Sequence, residues 1–189
     1  RTVYNGCRAW WNSDDGFDNF NIDGTVVYRG NWAFWNGYIP GGFSTGGNGE
    51  GFKLGPTATS KLTDTLKFLY ENLAFKNRTS GFGQNEARCL FKMYNNTSYD
   101  NDVNGFWFGW ENATVQDFKN NCAYDNPTNL NDAGSNVPAT YNSWNGTITV
   151  SDADFLSVSS TGMDGARGTG GSLPVTNFLK LAVGSDLIN

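Results

Sequence analysis

The hydrophobic and polar positions of this chain follow a motif that recurs about every 24 residues. A small residue is followed by an aromatic residue, one variable position and an asparagine. No stripe with the 3.6-residue period of a helix runs through the repeats, and the period is too short for two packed helices. It is typical of one coil of a parallel β-helix, with three short strands per coil. The small residues are Ala9, Ala33, Ala74, Ser98 and Ala123, spaced by 24, 41, 24 and 25 residues.

A second motif, glycine followed by phenylalanine, supports the same coils. The pair occurs after the asparagine of three coils and reappears late in the second, longer coil. It lies at Gly16 and Phe17, Gly51 and Phe52, Gly81 and Phe82, and Gly105 and Phe106. The sequence therefore predicts an all-β, right-handed parallel β-helix.

The repeated asparagines are expected to form ladders, because asparagine tolerates left-handed backbone and its amide can hydrogen-bond along the stack. Asn77 and Asn96 also begin N-x-Ser/Thr sequons, and a place in a ladder would leave them unglycosylated; Asn112 and Asn145 remain possible acceptors. One predicted inward ladder comprises Asn12, Asn36, Asn77, Asn101 and Asn126, and a second comprises Asn31, Asn72, Asn96 and Asn121.

The repeat also predicts the organisation of the chain, which we interpret as one domain over residues 1–189. Regular coils are expected over residues 1–126, with a long glycine-rich loop at 37–50 in the second coil. A long loop that leaves a regular solenoid often builds a functional site. Beyond the coils we expect a loop over 127–138, a final strand over 145–150 and an irregular tail packed along the flank of the helix.

Composition narrows the possible partners. A net charge of −5 argues against nucleic acid, which requires a basic face. No apolar stretch approaches the roughly 20 residues that cross a bilayer, so we expect no membrane span. Cys7, Cys89 and Cys122 have no metal-binding spacing and are expected to be isolated, buried thiols.

Candidate chemistry lies at two places in the first two coils. Asp14, Asp15 and Asp18 provide three carboxylates within five residues, which is either an ordinary turn or a group of ligands for a calcium ion. Lys53 follows the long loop one coil later. It is either a solvated surface lysine or a base whose pKa is lowered by burial and a nearby metal. The chain has no histidine, which removes the usual general base and zinc ligand.

These residues resemble the core of the family 9 pectate lyases. The resemblance covers nearly the whole chain in order, and its two ends are more specific than the middle coils. The matching segments are RAWWNSDDGFD at 8–18, WAFWNGY at 32–38, GNGEGFKLG at 47–55, DFLSVS at 154–159 and GSLPVTNFLKLAVGSDLI at 171–188.

The resemblance implies a secreted, calcium-dependent lyase that cleaves polygalacturonate, the acidic polysaccharide of pectin, by β-elimination. It carries over Asp14, Asp15 and Asp18 as calcium ligands and Lys53 as the catalytic base. One departure is that the family takes a further aspartate from a preceding coil, whereas this chain begins six residues before Cys7. We therefore expect that N-terminal coils and their cap are missing, either because the chain is a fragment or because half of the site has been lost.

Two non-catalytic alternatives remain open. An uncapped β-helix end has unpaired backbone groups that can pair with another copy, which would give head-to-tail self-association and filaments. The protein could instead bind pectin without cleaving it, using tryptophan and tyrosine rings as sugar platforms. Most of these aromatic residues follow the repeated small residue, which favours stacking within the solenoid over sugar binding.

Overall fold

A computed structural model describes residues 1–22, 24–44, 46–55, 63–110, 116–132, 137, 141–146 and 148–188. Within them, residues 1–144 and residues 145–188 belong to two separate compact units. The first unit is a right-handed parallel β-helix of five coils, which confirms the predicted fold. Among the described residues, no helix is both long enough and apolar enough to cross a membrane.

Each coil contributes one strand to each of three parallel sheets. An antiparallel hairpin of β6 (Tyr38–Ile39) and β7 (Phe43–Ser44) lies in the predicted long loop. The first sheet contains β1 (Thr2–Asn5), β4 (Val26–Arg29), β9 (Thr63–Tyr70), β12 (Cys89–Tyr94) and β15 (Asp117–Lys119). The second contains β2 (Arg8–Trp10), β5 (Trp32–Phe34), β10 (Leu73–Phe75), β13 (Thr97–Tyr99) and β16 (Cys122–Tyr124). The third contains β3 (Phe17–Asp18), β8 (Phe52–Lys53), β11 (Ser80–Gly83), β14 (Asn104–Trp107) and β17 (Thr128–Asn131).

The register of the strands is the one that the repeat predicts. In the second sheet the five small residues pair in series, from Ala9 through to Ala123. In the third sheet the phenylalanines of the Gly-Phe pairs stack inside the coils, with ring centroids 4.8 to 4.9 Å apart. Three of them, Phe52, Phe82 and Phe106, are fully buried, and burial of each such side chain contributes about 1.5–3 kcal/mol.

Both predicted asparagine ladders are present. Each ladder amide donates to the side-chain oxygen of the next coil, over 2.8 to 2.9 Å in the first ladder and 2.9 to 3.0 Å in the second. The second ladder continues to Asn142, which the repeat did not predict. Asn77 and Asn96 are fully buried within these ladders. The Asn112 sequon lies outside the described residues, and Asn145 is half-buried.

The two ladders stabilise two bends of each coil, at which the backbone conformation is unfavourable for most amino acids. Left-handed backbone was expected at the ladder asparagines, but it lies one residue before them in every coil, and most of the residues there are not glycine. Such a conformation costs roughly 1–2 kcal/mol per L-residue, which the ladder hydrogen bonds offset. The residues are Trp11, Trp35, Lys76, Asp100 and Asp125 at one bend, and Gly30, Glu71, Asn95, Asn120 and Tyr141 at the other.

Two predictions about the last part of the coils were wrong. Thr128–Asn131 is a strand, β17, rather than loop, and Leu130 pairs in register with Phe106. The prediction failed because this coil has no Gly-Phe pair. The predicted strand over 145–150 is absent from the described residues of that segment. The three cysteines form no disulfide with one another, but only Cys89 is buried, whereas Cys7 and Cys122 are half-buried.

The second unit has little regular structure, as expected for the tail. Two short 3₁₀ helices, Asp152–Asp154 and Thr169–Gly171, and two isolated bridges are its regular features among the residues described there. Asp154 organises one end of this unit. Its carboxylate accepts hydrogen bonds from the backbone and hydroxyl of Ser151, from the hydroxyl of Ser185 and from the backbone of Asp186.

Candidate active site

The acidic turn of the first coil is joined to the long loop of the second. Asp14 and Asp15 lie just before β3, and each carboxylate accepts a hydrogen bond from the loop backbone. Asp14 Oδ1 lies 2.5 Å from the amide nitrogen of Asn48, and Asp15 Oδ1 lies 2.8 Å from that of Glu50. A Cβ at Gly47 would lie 2.4 Å from Asp14 Oδ1, so this contact requires glycine there. The loop thus holds the turn in place.

Lys53 lies directly beside this turn. It is paired in register with Asp18 on the neighbouring strand. Its Nζ atom lies 3.0 Å from Asp15 Oδ2 and 3.4 Å from Asp18 Oδ2, and its side chain is only 9% exposed. The predicted lysine and two of the predicted aspartates therefore form one ion-paired cluster. Asp14 is exposed at the edge of this cluster.

The pKa of the Lys53 ammonium is raised rather than lowered. Burial alone would lower this pKa, but the hydrogen bond that Lys53 donates to Asp15 and the charges of Asp15 and Asp18 outweigh burial. Two carboxylates stabilise the charged amine, and the lowering that the sequence predicts, which requires a nearby metal, stays a prediction. The pKa of Asp15 is also raised, since desolvation exceeds the opposing effects of the Glu50 amide and Lys53.

Glu50 is a fourth acidic residue of this cluster, and it was not among the predicted site residues. It is only 3% exposed, and burial, followed by the charge of Asp15, raises its pKa to about 8. Its Oε2 atom is buried and has no hydrogen-bond partner. A Cβ at Gly83 would lie 2.3 Å from Glu50 Oε1, so the carboxylate occupies space that the glycine of the next coil leaves open.

The donor atoms of this cluster suit calcium. Lys53 pairs with Asp15 and Asp18, and Glu50 lies within the electrostatic reach of these groups and of Asp14. Hard oxygen ligands of this kind favour Ca²⁺ over softer metals. The unpaired, buried oxygen of Glu50 is costly without a cation or a proton. In the described part of the chain, however, no three acidic, cysteine or histidine residues are grouped closely enough to be recognised as a metal site. The carboxylate oxygens are therefore of the type that calcium prefers, but those of the described residues are not grouped closely enough to coordinate one ion together.

An open groove of about 570 Å³ begins at Glu50 and extends over the third and fourth coils. Because Glu50 belongs to both features, the charged cluster adjoins this groove. Most of the residues that line the groove belong to the third sheet or to the turns that precede its strands. Other residues that line the groove include Asn48, Arg78, Thr79, Asn104 and Trp107.

Comparison with known proteins gives a family model described as the Pel9A-like right-handed β-helix region, which matches residues 1–142. Pectate lyase L of Dickeya chrysanthemi is 36% identical over 98% of this chain, and that of Dickeya dadantii is 36% identical over 97%. The chain covers 42% of each of these relatives, so it spans well under half of their length.

Two solved structures share the fold. The crystal structure of pectate lyase Pel9A matches 99% of this chain with a TM-score of 0.83 and 33% identity, and the chain covers 45% of it. A rhamnogalacturonan lyase matches 96% of the chain with a TM-score of 0.65 and 30% identity, with 47% of that protein covered.

Proposed function

This chain belongs to the Pel9A-like right-handed β-helix family, and from that premise we propose that it is a calcium-dependent pectate lyase that cleaves polygalacturonate by β-elimination. The observation that carries this proposal is the ion pairing of Lys53 with Asp15 and Asp18, in a cluster whose fourth acidic residue, Glu50, lines an open groove. The predicted base and the predicted acidic ligands are therefore adjacent. The proposal also includes secretion, because the substrate is an extracellular polysaccharide.

Asp14, Asp15 and Asp18 would hold the calcium ion, and Glu50 supplies a further buried oxygen to the same cluster. Bound calcium would neutralise the carboxylate of a galacturonate and make its C5 proton more acidic. It would also reconcile an acidic protein with a polyanionic substrate, because like charges would otherwise repel.

Lys53 would act as the base. Its neutral Nζ would accept the C5 proton, and the electrons of the C5–H bond would form the C4–C5 double bond. The C4–O bond would then break, and its electron pair would leave with the oxygen, which takes a proton from solvent. One product would have a 4,5-unsaturated end and the other an ordinary hydroxyl, with no water consumed. Positioning Lys53 on a strand, fixed by two carboxylates, would keep it aligned with a chain in the groove.

The test is release of unsaturated uronate from polygalacturonate, measured by absorbance with calcium and with a chelator. We expect calcium-dependent product from the unmodified chain and none from Lys53→Ala. The matched control is Lys119→Ala, since the Lys119 ammonium is exposed and pairs with Asp117 at 3.1 Å, far from the site in sequence. This control should retain the unmodified rate. Absence of product under all conditions, or equal loss in both variants, would contradict the proposal.

The same samples distinguish the non-catalytic alternatives. Retention on pectin without product would indicate a binding module. Sedimentation velocity over a range of protein concentrations measures head-to-tail association, which remains a prediction; the filament alternative expects assembly that depends neither on calcium nor on Lys53.

A further inference from the structure

Arg78 enters the groove from the third coil through space that two glycines of the second coil leave open. A Cβ at Gly37 would lie 2.6 Å from Arg78 Cβ, and one at Gly49 would lie 2.8 Å from the same atom. Both glycines also have left-handed backbone, with φ of +81° and +74°. A side chain at either position would displace the stem of Arg78. The second coil is thus shaped to let this arginine reach the groove.

Among the residues that the structure describes, no carboxylate lies within ion-pairing distance of the Arg78 guanidinium. Its Nε atom is buried and makes no hydrogen bond. All ion pairs within 4.0 Å among the described residues are made by lysines, so no carboxylate pairs with this arginine. Buried polar groups are rarely left unpaired, and arginine suits planar, bidentate recognition of a carboxylate. Together with its place in the groove, this indicates that the partner is a ligand.

Trp107 lies further along the same groove. In the third sheet, Lys53, Gly83 and Trp107 occupy equivalent positions on three successive coils. Two steps between coils separate the lysine from the tryptophan, a distance of about 10 Å at the usual strand spacing. Gly83 has no side chain, and the Glu50 carboxylate lies against it between the two. The indole of Trp107 is half-buried, as required of a platform on which a sugar ring can pack.

We propose that Arg78 and Trp107 form a uronate-binding subsite that recognises a second sugar of the bound polysaccharide. Arg78 binds the carboxylate of that sugar, and Trp107 packs against its ring. The proposal rests on the function proposed above, because it takes the ligand to be a galacturonate chain that continues from Lys53 along the groove. The subsite selects unesterified uronate, since a methyl ester removes the charge that Arg78 recognises.

The experiment measures binding without turnover. Calorimetry in calcium uses the Lys53→Ala chain with tetragalacturonate and with its fully methyl-esterified form. Adding Arg78→Gln should weaken binding of the acid about tenfold, the size expected for a charge-assisted hydrogen bond in a partly open groove. Binding of the ester should be unchanged. Arg78→Lys should restore part of the affinity, because it keeps the charge but lacks the planar fork. Trp107→Ala should weaken both ligands.

The matched control is Arg29→Gln, which removes an exposed arginine from β4 in a different sheet. It should leave both affinities unchanged. Equal loss of the acid and the ester in Arg78→Gln would mean that Arg78 only supports the loop, and this would overturn the subsite. Absence of any binding of the acid by the Lys53→Ala chain would also overturn it. If Arg78-dependent binding occurs but the unmodified chain forms no unsaturated product, the subsite stands and the lyase proposal falls.

Discussion

Replacement of Asn77 by alanine should cause a large loss of stability, because this residue lies in the middle of the first ladder. Its side-chain oxygen accepts from both the backbone and the side-chain amide of Asn36, at 3.2 and 2.9 Å. Its own amide donates to Asn101 at 2.9 Å and to the Ala33 carbonyl at 3.0 Å. The side chain is fully buried, so solvent has no direct access to these groups.

The expected loss of stability can be worked out from the hydrogen-bond donors that the substitution leaves without an acceptor. In Asn77→Ala, two N–H groups of the buried Asn36 lose their acceptor. Each unsatisfied buried donor costs about 1–3 kcal/mol, so we expect a loss of about 4 kcal/mol in the free energy of unfolding. This is a large fraction of the roughly 5–15 kcal/mol that stabilises an ordinary domain.

The control is Asn12→Ala, at the exposed end of the same ladder. It removes one side-chain donation to Asn36 at 2.8 Å, while the backbone amide of Asn12 still reaches the same oxygen at 3.4 Å. We expect a loss of about 1 kcal/mol. Urea unfolding followed by tryptophan fluorescence measures both variants. A loss in Asn77→Ala no larger than that in Asn12→Ala would refute the idea that the buried ladder stabilises the coils.

Two further predictions concern a glycine of the groove and a carboxylate of the second unit. Gly83→Ala should lower the rate of product formation with little change in the thermal midpoint, because its Cβ would lie 2.3 Å from Glu50 Oε1 and the carboxylate must move. Gly24→Ala, with no atom within 4 Å of the added Cβ, should change neither quantity; equal effects of the two variants would contradict the role of this contact. The pKa of Asp154 is lowered, first by the backbone amide of Ser151, so its stabilising contribution is present above the unfolded pKa of about 3.9 and is lost as pH falls through the folded value. Hydrogen exchange in residues 145–188 should become less sensitive to acid in Asp154→Asn, and unchanged acid sensitivity would show that another group is responsible.

The sequence was sufficient to predict the fold and the registers, because identical residues stack on one another in a β-helix. The spacing of Ala9, Ala33 and Ala74 therefore gives the pairing of the strands directly. The same alignment could have identified Glu50, since Gly51 stacks on Gly16 and thus places Glu50 one coil above Asp15. It was missed because the coils differ in length and the residue lies in a glycine-rich loop.

Other features depend on contacts that the repeat does not encode. Asn142 continues a ladder from outside the last recognisable coil, at a spacing of 21 residues from Asn121 rather than 24 or 25. The position of Arg78 depends on two glycines of a loop in another coil, and no local pattern reveals that contact. The raised pKa of Lys53 likewise depends on which carboxylates reach its ammonium, which only the folded arrangement determines.

The most direct test of the central claim is the chemistry of the cleaved bond. Polygalacturonate is digested by this chain in calcium and in water enriched in heavy oxygen, and the products are analysed by mass spectrometry. Elimination at Lys53 predicts fragments with an unsaturated end, without heavy oxygen introduced at the cleavage point. Saturated fragments that carry one heavy oxygen per cleavage would show hydrolysis and would contradict the account.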